Sequence, residues 1–350
     1  MNVMVFENDE LNILIEVINK LQILYHPTYA PDGKFNLDVI IKLQNMNTMI
    51  FVDNNFLSPI YELVTTGSLR NEKQLLKVAA MILFSKFLNA RATCGLALFE
   101  NDTAEKSTIS AEEKRQAFIY AFDKIPSFIW KHLAFGVIDS IPETFRSDFF
   151  IEQDKANYKN NDELHYLMHR VSIMKIVHLL KDSELDGFKK FTTFFEWHAD
   201  NLIIAESVLV YALLVYGNID HAHAPKNYNS GDFCKVISGI NNQAWDMFYL
   251  THWSTYYYDE HDDNVYMFAT DDITQKMIVV NNHPNGFVDI ASTIFSSKNQ
   301  KAKLIDLFNS KLGINRVNPL KDKTKEQKIE YIKNLYKITE EEFKLKYFSS

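Results

Sequence analysis

The sequence predicts an α/β protein: a central, mostly parallel sheet with helices on both faces, enlarged by a helical insertion and flanked by helical termini. Three observations predict it. Two apolar runs of strand length, Met49-Ile-Phe-Val52 and Val265-Tyr-Met-Phe-Ala269, end abruptly in carboxylates, at Asp53 and at Asp271-Asp272. Glycine and proline are scarce, 10 and 8 in 350 residues, so long helices should dominate the rest. Apolar residues also recur at three- and four-residue spacing over most of the chain.

The elements follow in order. Asp9–Leu24 reads as an amphipathic helix, with Leu11, Leu14, Ile15, Ile18 and Leu21 on one face. A turn at Pro27–Gly33 leads to a short helix, Leu37–Leu43, and then to the strand Met49–Val52. Asn55 is placed to cap the helix that follows. Lys73–Ala90 and Thr93–Glu100 read as helices, as do Lys114–Phe122, Glu163–Leu180, Phe188–Trp197 and Leu202–Tyr216. Helix Ile240–Tyr258 precedes an acidic loop and the strand Val265–Ala269; two charged helices, Asn299–Leu312 and Lys323–Lys337, close the chain. The expected domains are an N-terminal helical segment (1–47), a sheet domain (48–295) carrying a helical insertion (101–237), and a basic C-terminal helical region (296–350).

Composition narrows the function. With 47% apolar and 13% aromatic residues, the chain is long enough to bury a sizeable core. Its two cysteines, Cys94 and Cys234, have no CxxC or CxxH partner, which argues against a disulfide scaffold or a cysteine-rich zinc site and fits a reducing, cytoplasmic setting. No signal-peptide pattern opens the sequence, and the greasiest stretch, Leu202–Val215, is interrupted by Glu206, so no membrane segment is expected. The formal charge is −8, yet residues 298–350 hold 13 basic against 7 acidic residues. That tail is the natural contact for a polyanion, on a body otherwise too acidic for general nucleic-acid binding.

Four carboxylates in four segments carry the chemistry. In an open parallel sheet, ligands gather beyond the carboxyl ends of the strands, so acids ending two strands can converge there. Asp53 ends the first strand, and Asp272, beside Asp271, follows the second. Glu100 closes the apolar turn Thr93-Cys-Gly-Leu-Ala-Leu-Phe-Glu100. Asp246 shares a helix face with Tyr249, Leu250, Trp253 and Tyr257, an apolar stripe on which a lone carboxylate needs a donor or a cation. Converging carboxylates repel unless neutralised, and a divalent cation is the usual neutraliser.

This order resembles the PIN-domain nucleases, over roughly 48–100 and 238–295. The family's apolar strand runs into Asp-x-Asn, matched by Asp53-Asn54-Asn55; its second acid follows on a helix, matched by Glu100; its third begins an Asp-containing helix, matched by Ala244-Trp-Asp246. Its later strand ends in Thr-x-Asp, matched by Thr270-Asp271-Asp272. The resemblance implies a PIN-like Mg²⁺- or Mn²⁺-dependent endoribonuclease in which Asp53, Glu100, Asp246 and Asp272 are both catalytic and metal-binding. Asn55, Thr270 and Asp271 would support them. RNA is then the substrate, and a toxin or antiviral-defence effector is a fitting context; an inhibitor or regulatory protein and a second copy of the chain are the further partners left open.

Plainer readings stand beside these. Asp53 and Asp272 also suit helix N-caps after buried strands, which would make the chain a catalytically inactive PIN-like scaffold for RNA or protein. His165 and His169, four apart, lack the glutamate of HExxH; His221 and His223 lie in a turn; His261-Asp262 resembles the HD pair of metal phosphohydrolases, without that family's further histidines. Trp253 and Tyr256–Tyr258 suit either base stacking or helix packing.

Overall fold

The computed structural model describes residues 8–103, 109–151, 164–259, 263–281, 286–313 and 316–348. The described residues are mostly helical, with fifteen α-helices and one small four-stranded mixed sheet. The chain divides into two compact units: residues 1–160 with 253–272, and residues 161–252 with 273–350.

The first unit contains the sheet. In order it comprises α1 (Asn8–Leu21), β1 (Leu24–Tyr25), α2 (Leu37–Gln44), β2 (Asn47–Val52), α3 (Asn54–Thr66), α4 (Glu72–Phe87), β3 (Arg91–Thr93), α5 (Gly95–Thr103), α6 (Ala111–Asp123) and α7 (Ser127–Ala134). The end of α11 (Phe233–Tyr258) and β4 (Asn264–Ala269) complete it. Strand order is β1-β4-β2-β3, with β4, β2 and β3 parallel and β1 antiparallel to β4. Register pairs Asn47 with Asn264 and Val52 with Ala269, so the two strand–acid segments end side by side.

Alternation along β2 explains its place in the sheet. Ile50 and Val52 join Met267 and Ala269 in a core with Leu14, Phe56, Ile60, Met81 and Trp130 from the helices. Phe51 packs on Tyr256 and Tyr266, at ring distances of 5.1 and 6.4 Å, and Trp253 donates to the Tyr266 carbonyl at 2.8 Å. Both faces of the strand are therefore covered, the condition under which a parallel strand reads as a continuous apolar run. Trp253 is fully buried, and Tyr257 stacks on it; packing accounts for both rings.

Two local devices shape α3. Asp53 caps its N-terminus, correcting the expectation that Asn55 would; Asn55 lies in the first turn instead. Pro59 lies inside the helix, where its missing N–H leaves the Asn55 carbonyl without the usual helical donor. The Gln74 side chain fills that gap, donating to the Asn55 carbonyl at 2.9 Å. The helix ends on Gly67 at φ 87°, where a Cβ would sit 2.7 Å from Arg146 Nε and 3.0 Å from the Ile141 carbonyl.

The second unit is all helical among the described residues: α8 (Leu164–Leu180), α9 (Gly187–Asn201), α10 (Glu206–Tyr216), most of α11, α12 (Ile273–Val280), α13 (Gly286–Ile294), α14 (Lys298–Leu312) and α15 (Lys325–Tyr347). Helix α15 packs along α8, and α14 packs on α9. Thus the expected 101–237 insertion is divided between the units: α6 packs on α3 and α7 on α4, while α8 to α10 join the C-terminal helices.

Other expectations shift for local reasons. The first helix stops at Leu21, and Leu24–Tyr25 pairs with Ala269 and Phe268. Thr93 belongs to the short strand β3, whose Arg-Ala-Thr has no apolar run to announce it. The last helix runs ten residues beyond Lys337. The expected break at Asn157–Asn161 and the His261-Asp262 pair fall outside the described residues.

Candidate functional site

Two adjacent parallel strands, β2 and β4, deliver Asp53 and Thr270 to the same edge of the sheet. The ladder continues one step past them: the Asp53 amide donates to the Ala269 carbonyl at 3.1 Å, and the Thr270 amide to the Ile23 carbonyl at 3.1 Å. The Asp53 carboxylate is 3% exposed and fully engaged. Oδ1 accepts from the Asn54 amide at 2.6 Å; Oδ2 accepts from Asn55 Nδ2 at 2.7 Å and from the Thr270 hydroxyl at 3.0 Å. The same Thr270 oxygen accepts from the Asp272 amide at 3.0 Å, which fixes the turn leaving β4.

Burial first, and then the negative charge of Glu100, push the Asp53 carboxyl up to about 7. The bonds from Thr270 and Asn54 pull it back, and Asp272 adds a smaller upward push. Asp53, Glu100 and Asp272 thus form one electrostatic group in the first unit. Asp271 turns aside to pair with Lys77, a lysine almost wholly buried in the apolar run of α4. Lys114, on α6, donates to Ser58 at 3.1 Å. Burial lowers the Lys114 ammonium pKa, while the charge of Glu100 opposes that shift.

Next to the acids is a cavity of about 510 Å³, lined by Asn54, Asn55, Ser58, Pro59, Gln74, Asp271 and Asp272. A larger cavity, about 1080 Å³, lies at the amino end of β3 between Lys86, Arg91, Phe118 and Phe128. Of these two cavities, the smaller is the one bordered by acids at the strands' carboxyl ends, Asp271 and Asp272.

Asp246 lies in the second unit, where two carboxamides answer its charge. Oδ1 accepts from Gln275 Nε2 at 2.8 Å and Oδ2 from Gln243 Nε2 at 3.2 Å. His165 and His169 also lie in the second unit, on α8.

The side chains around Asp53 offer oxygen donors, the type that hard divalent ions prefer. Among the described residues, however, no three His, Cys, Asp or Glu side chains are placed to share an ion as they stand. Lys77, Lys114 and Gln74 neighbour the acids without any strand-end motif to mark them. A lysine within the apolar run Leu75-Leu-Lys-Val-Ala-Ala80 was the available signal for the first.

Among the described residues, no helix is long and apolar enough to cross a membrane. Compared with known proteins, the chain matches no family model, no curated protein and no solved structure.

Proposed function

We propose that the chain is a PIN-like, Mg²⁺- or Mn²⁺-dependent endoribonuclease whose site is the acid group at the carboxyl ends of β2 and β4. The observation that carries this reading is the buried Asp53 carboxyl, held by Thr270 and pushed up to about 7 by burial and by Glu100. Carboxylates gathered at a strand-end crevice raise one another's pKa, and a divalent cation is the usual relief of that repulsion. Asp53 would draw the ion, with Glu100 and Asp272 as the first-unit acids whose charge acts on it. Bound there, the ion would neutralise charge on the cleaved phosphodiester and acidify a water molecule.

The chain's own residues do the positioning. Asn55 and Thr270 fix Asp53 Oδ2, and the Asn54 amide fixes Oδ1, so the carboxylate is held in one orientation. Lys77 ties back Asp271, leaving Asp272 as the nearer acid to Asp53 electrostatically. The basic segment 298–350 supplies attraction for RNA phosphates on an otherwise acidic chain. A toxin or antiviral effector restrained by an inhibitor protein is the context this chemistry fits.

A second reading has its own support. Asp53 is the N-cap of α3 with both oxygens satisfied, as a purely structural aspartate would be. In that case the chain is a scaffold that binds RNA or protein without cutting. Cleavage of a mixed RNA pool with Mn²⁺ separates the two, comparing wild type with Asp53→Asn. Metal-dependent cutting lost in the folded variant supports the nuclease; cutting that survives the substitution moves the chemistry elsewhere. No cutting by either protein favours the scaffold.

A further inference from the structure

The second unit contains a group of histidines with no part in the reading above. His165 and His169 stand one turn apart on α8, His198 is on α9 and His252 is on α11. His169 is 1% exposed, and neither of its ring nitrogens has a hydrogen-bond partner among the described residues. His198 is equally buried; its Nδ1 meets the Ser172 hydroxyl at 3.3 Å, and its ring lies 5.5 Å from Phe194. The rings of His165 and His252 meet edge to face at 5.4 Å, and Phe248 lies 4.3 Å from His252. The surroundings are apolar: Leu167, Met168, Val171 and Leu202 form a core with Leu320 and Ile332.

A neutral imidazole carries one N–H and one acceptor nitrogen, so burying one with both unsatisfied is costly, and burying it charged costs more. The groups whose charge acts on His169 are His165, His198 and His252, all cationic once protonated. Arg316, which donates to the Ala199 and Leu202 carbonyls, acts the same way on His198, and Asp200 acts on Arg316 rather than on the histidines. Of the other helices packed on α8, α15 brings Tyr336 over Arg170 and places Glu342 and Lys346 near Lys175, and α10 brings Tyr216, bonded to the Ile176 carbonyl. Among the described residues, no carboxylate is among the groups acting on His169.

We propose that this histidine group is an acid-sensitive latch: with its rings neutral, α8, α9 and α11 pack closed, and acidification opens that packing. The sign follows from which state takes up protons. Burial holds the His169 ring well below its ordinary 6.5, and holds His198 at about 3. Below pH 6.5 the opened form therefore binds protons that the closed form refuses. The closed form is fully favoured above that pH and loses ground as pH falls through it. Each histidine held neutral shifts the balance about tenfold per pH unit.

Hydrogen exchange of the full chain, corrected for the intrinsic pH dependence of exchange, tests this segment by segment. On moving from pH 7.5 to 5.5, amides of α8 and α9 should lose at least tenfold in protection, while those of β2 and β4 do not. His169→Leu should shrink that loss by about tenfold, leaving the share that His198 contributes. His169→Gln, polar but not titrating, serves the same purpose if the leucine variant folds poorly. Protection that is equal at both pH values in the wild type overturns the latch, and so does a loss that persists unchanged in both variants.

Discussion

The Thr270 hydroxyl donates to the Asp53 carboxylate at 3.0 Å across 217 residues of sequence, because Val52 and Ala269 are register partners in adjacent parallel strands. That one bond joins the two strand–acid segments. It also makes Thr270 a shared hinge, since its oxygen receives the Asp272 amide as well. Thr270→Val should leave Asp53 with one donor fewer and the Asp272 amide without its acceptor, costing about 1–3 kcal/mol. Thr270→Ser should restore most of it. Chemical denaturation of the three proteins, followed by hydrogen exchange in β2 and β4, checks the order.

Asp53 predicts an unusual pH dependence. Its folded pKa is raised from 3.8 to about 7, so the folded state binds the proton more readily than the unfolded one. Its contribution to stability therefore grows as pH falls from 8 through 7, by up to about 1.4 kcal/mol per pH unit, and is weakest when the group is ionised. Asp53→Asn does not titrate and retains an oxygen to cap α3. At pH 8 it should match or exceed the wild type in stability, with the advantage shrinking towards pH 6. The difference in unfolding free energy between the two proteins, measured across that range, is the readout.

Pro59 and Gln74 should be coupled. Gln74→Leu leaves the Asn55 carbonyl without a donor and should cost about 1 kcal/mol. In a Pro59→Ala background the helix regains an N–H at that position, so the same substitution should cost markedly less. A double-mutant cycle in urea measures the coupling directly.

Lys77 should resist replacement more than a surface lysine does. Its side chain is 9% exposed and its partner Asp271 is 29% exposed. Lys77→Met removes the ion pair from a carboxylate that water reaches only in part, and should cost about 1–2 kcal/mol, less than a fully buried pair would. The double variant with Asp271→Asn should recover part of that loss in the same denaturation experiment.

Much of this was legible in the sequence where one period dominated. The strands β2 and β4 announced themselves because both faces are buried, which makes them continuous apolar runs ending at polar Asp53 and Thr270-Asp271-Asp272. The long helices α4 and α8 follow from apolar spacing, and α14 reads as a charged helix. Strand β1 is two residues long and β3 is Arg-Ala-Thr; neither carries a period, and both exist because a neighbouring strand offers them a ladder. Helices α7, α12 and α13, of eight or nine residues, were too short to stand out.

The site was legible as residue types, less so as partners. Asp53, Thr270, Asn55 and Asp272 were named from their position after strands, and they meet around Asp53. Nothing local distinguished Asp271, which pairs with Lys77, from Asp272, because the choice is made by a lysine 194 residues away. Asp246 stands out in the sequence for its apolar face, and the carboxamides of Gln243 and Gln275 meet the need that face creates.

Manganese binding tests the central claim most directly. Electron paramagnetic resonance of Mn²⁺ titrated with the full chain at pH 8, where Asp53 is mostly ionised, should show one saturable site. Asp53→Asn should weaken that site at least tenfold without unfolding the protein. Lowering the pH to 6 should weaken wild-type binding, because protons then compete for Asp53. Absence of saturable binding, or binding that Asp53→Asn leaves unchanged, would contradict a cation site at the ends of β2 and β4.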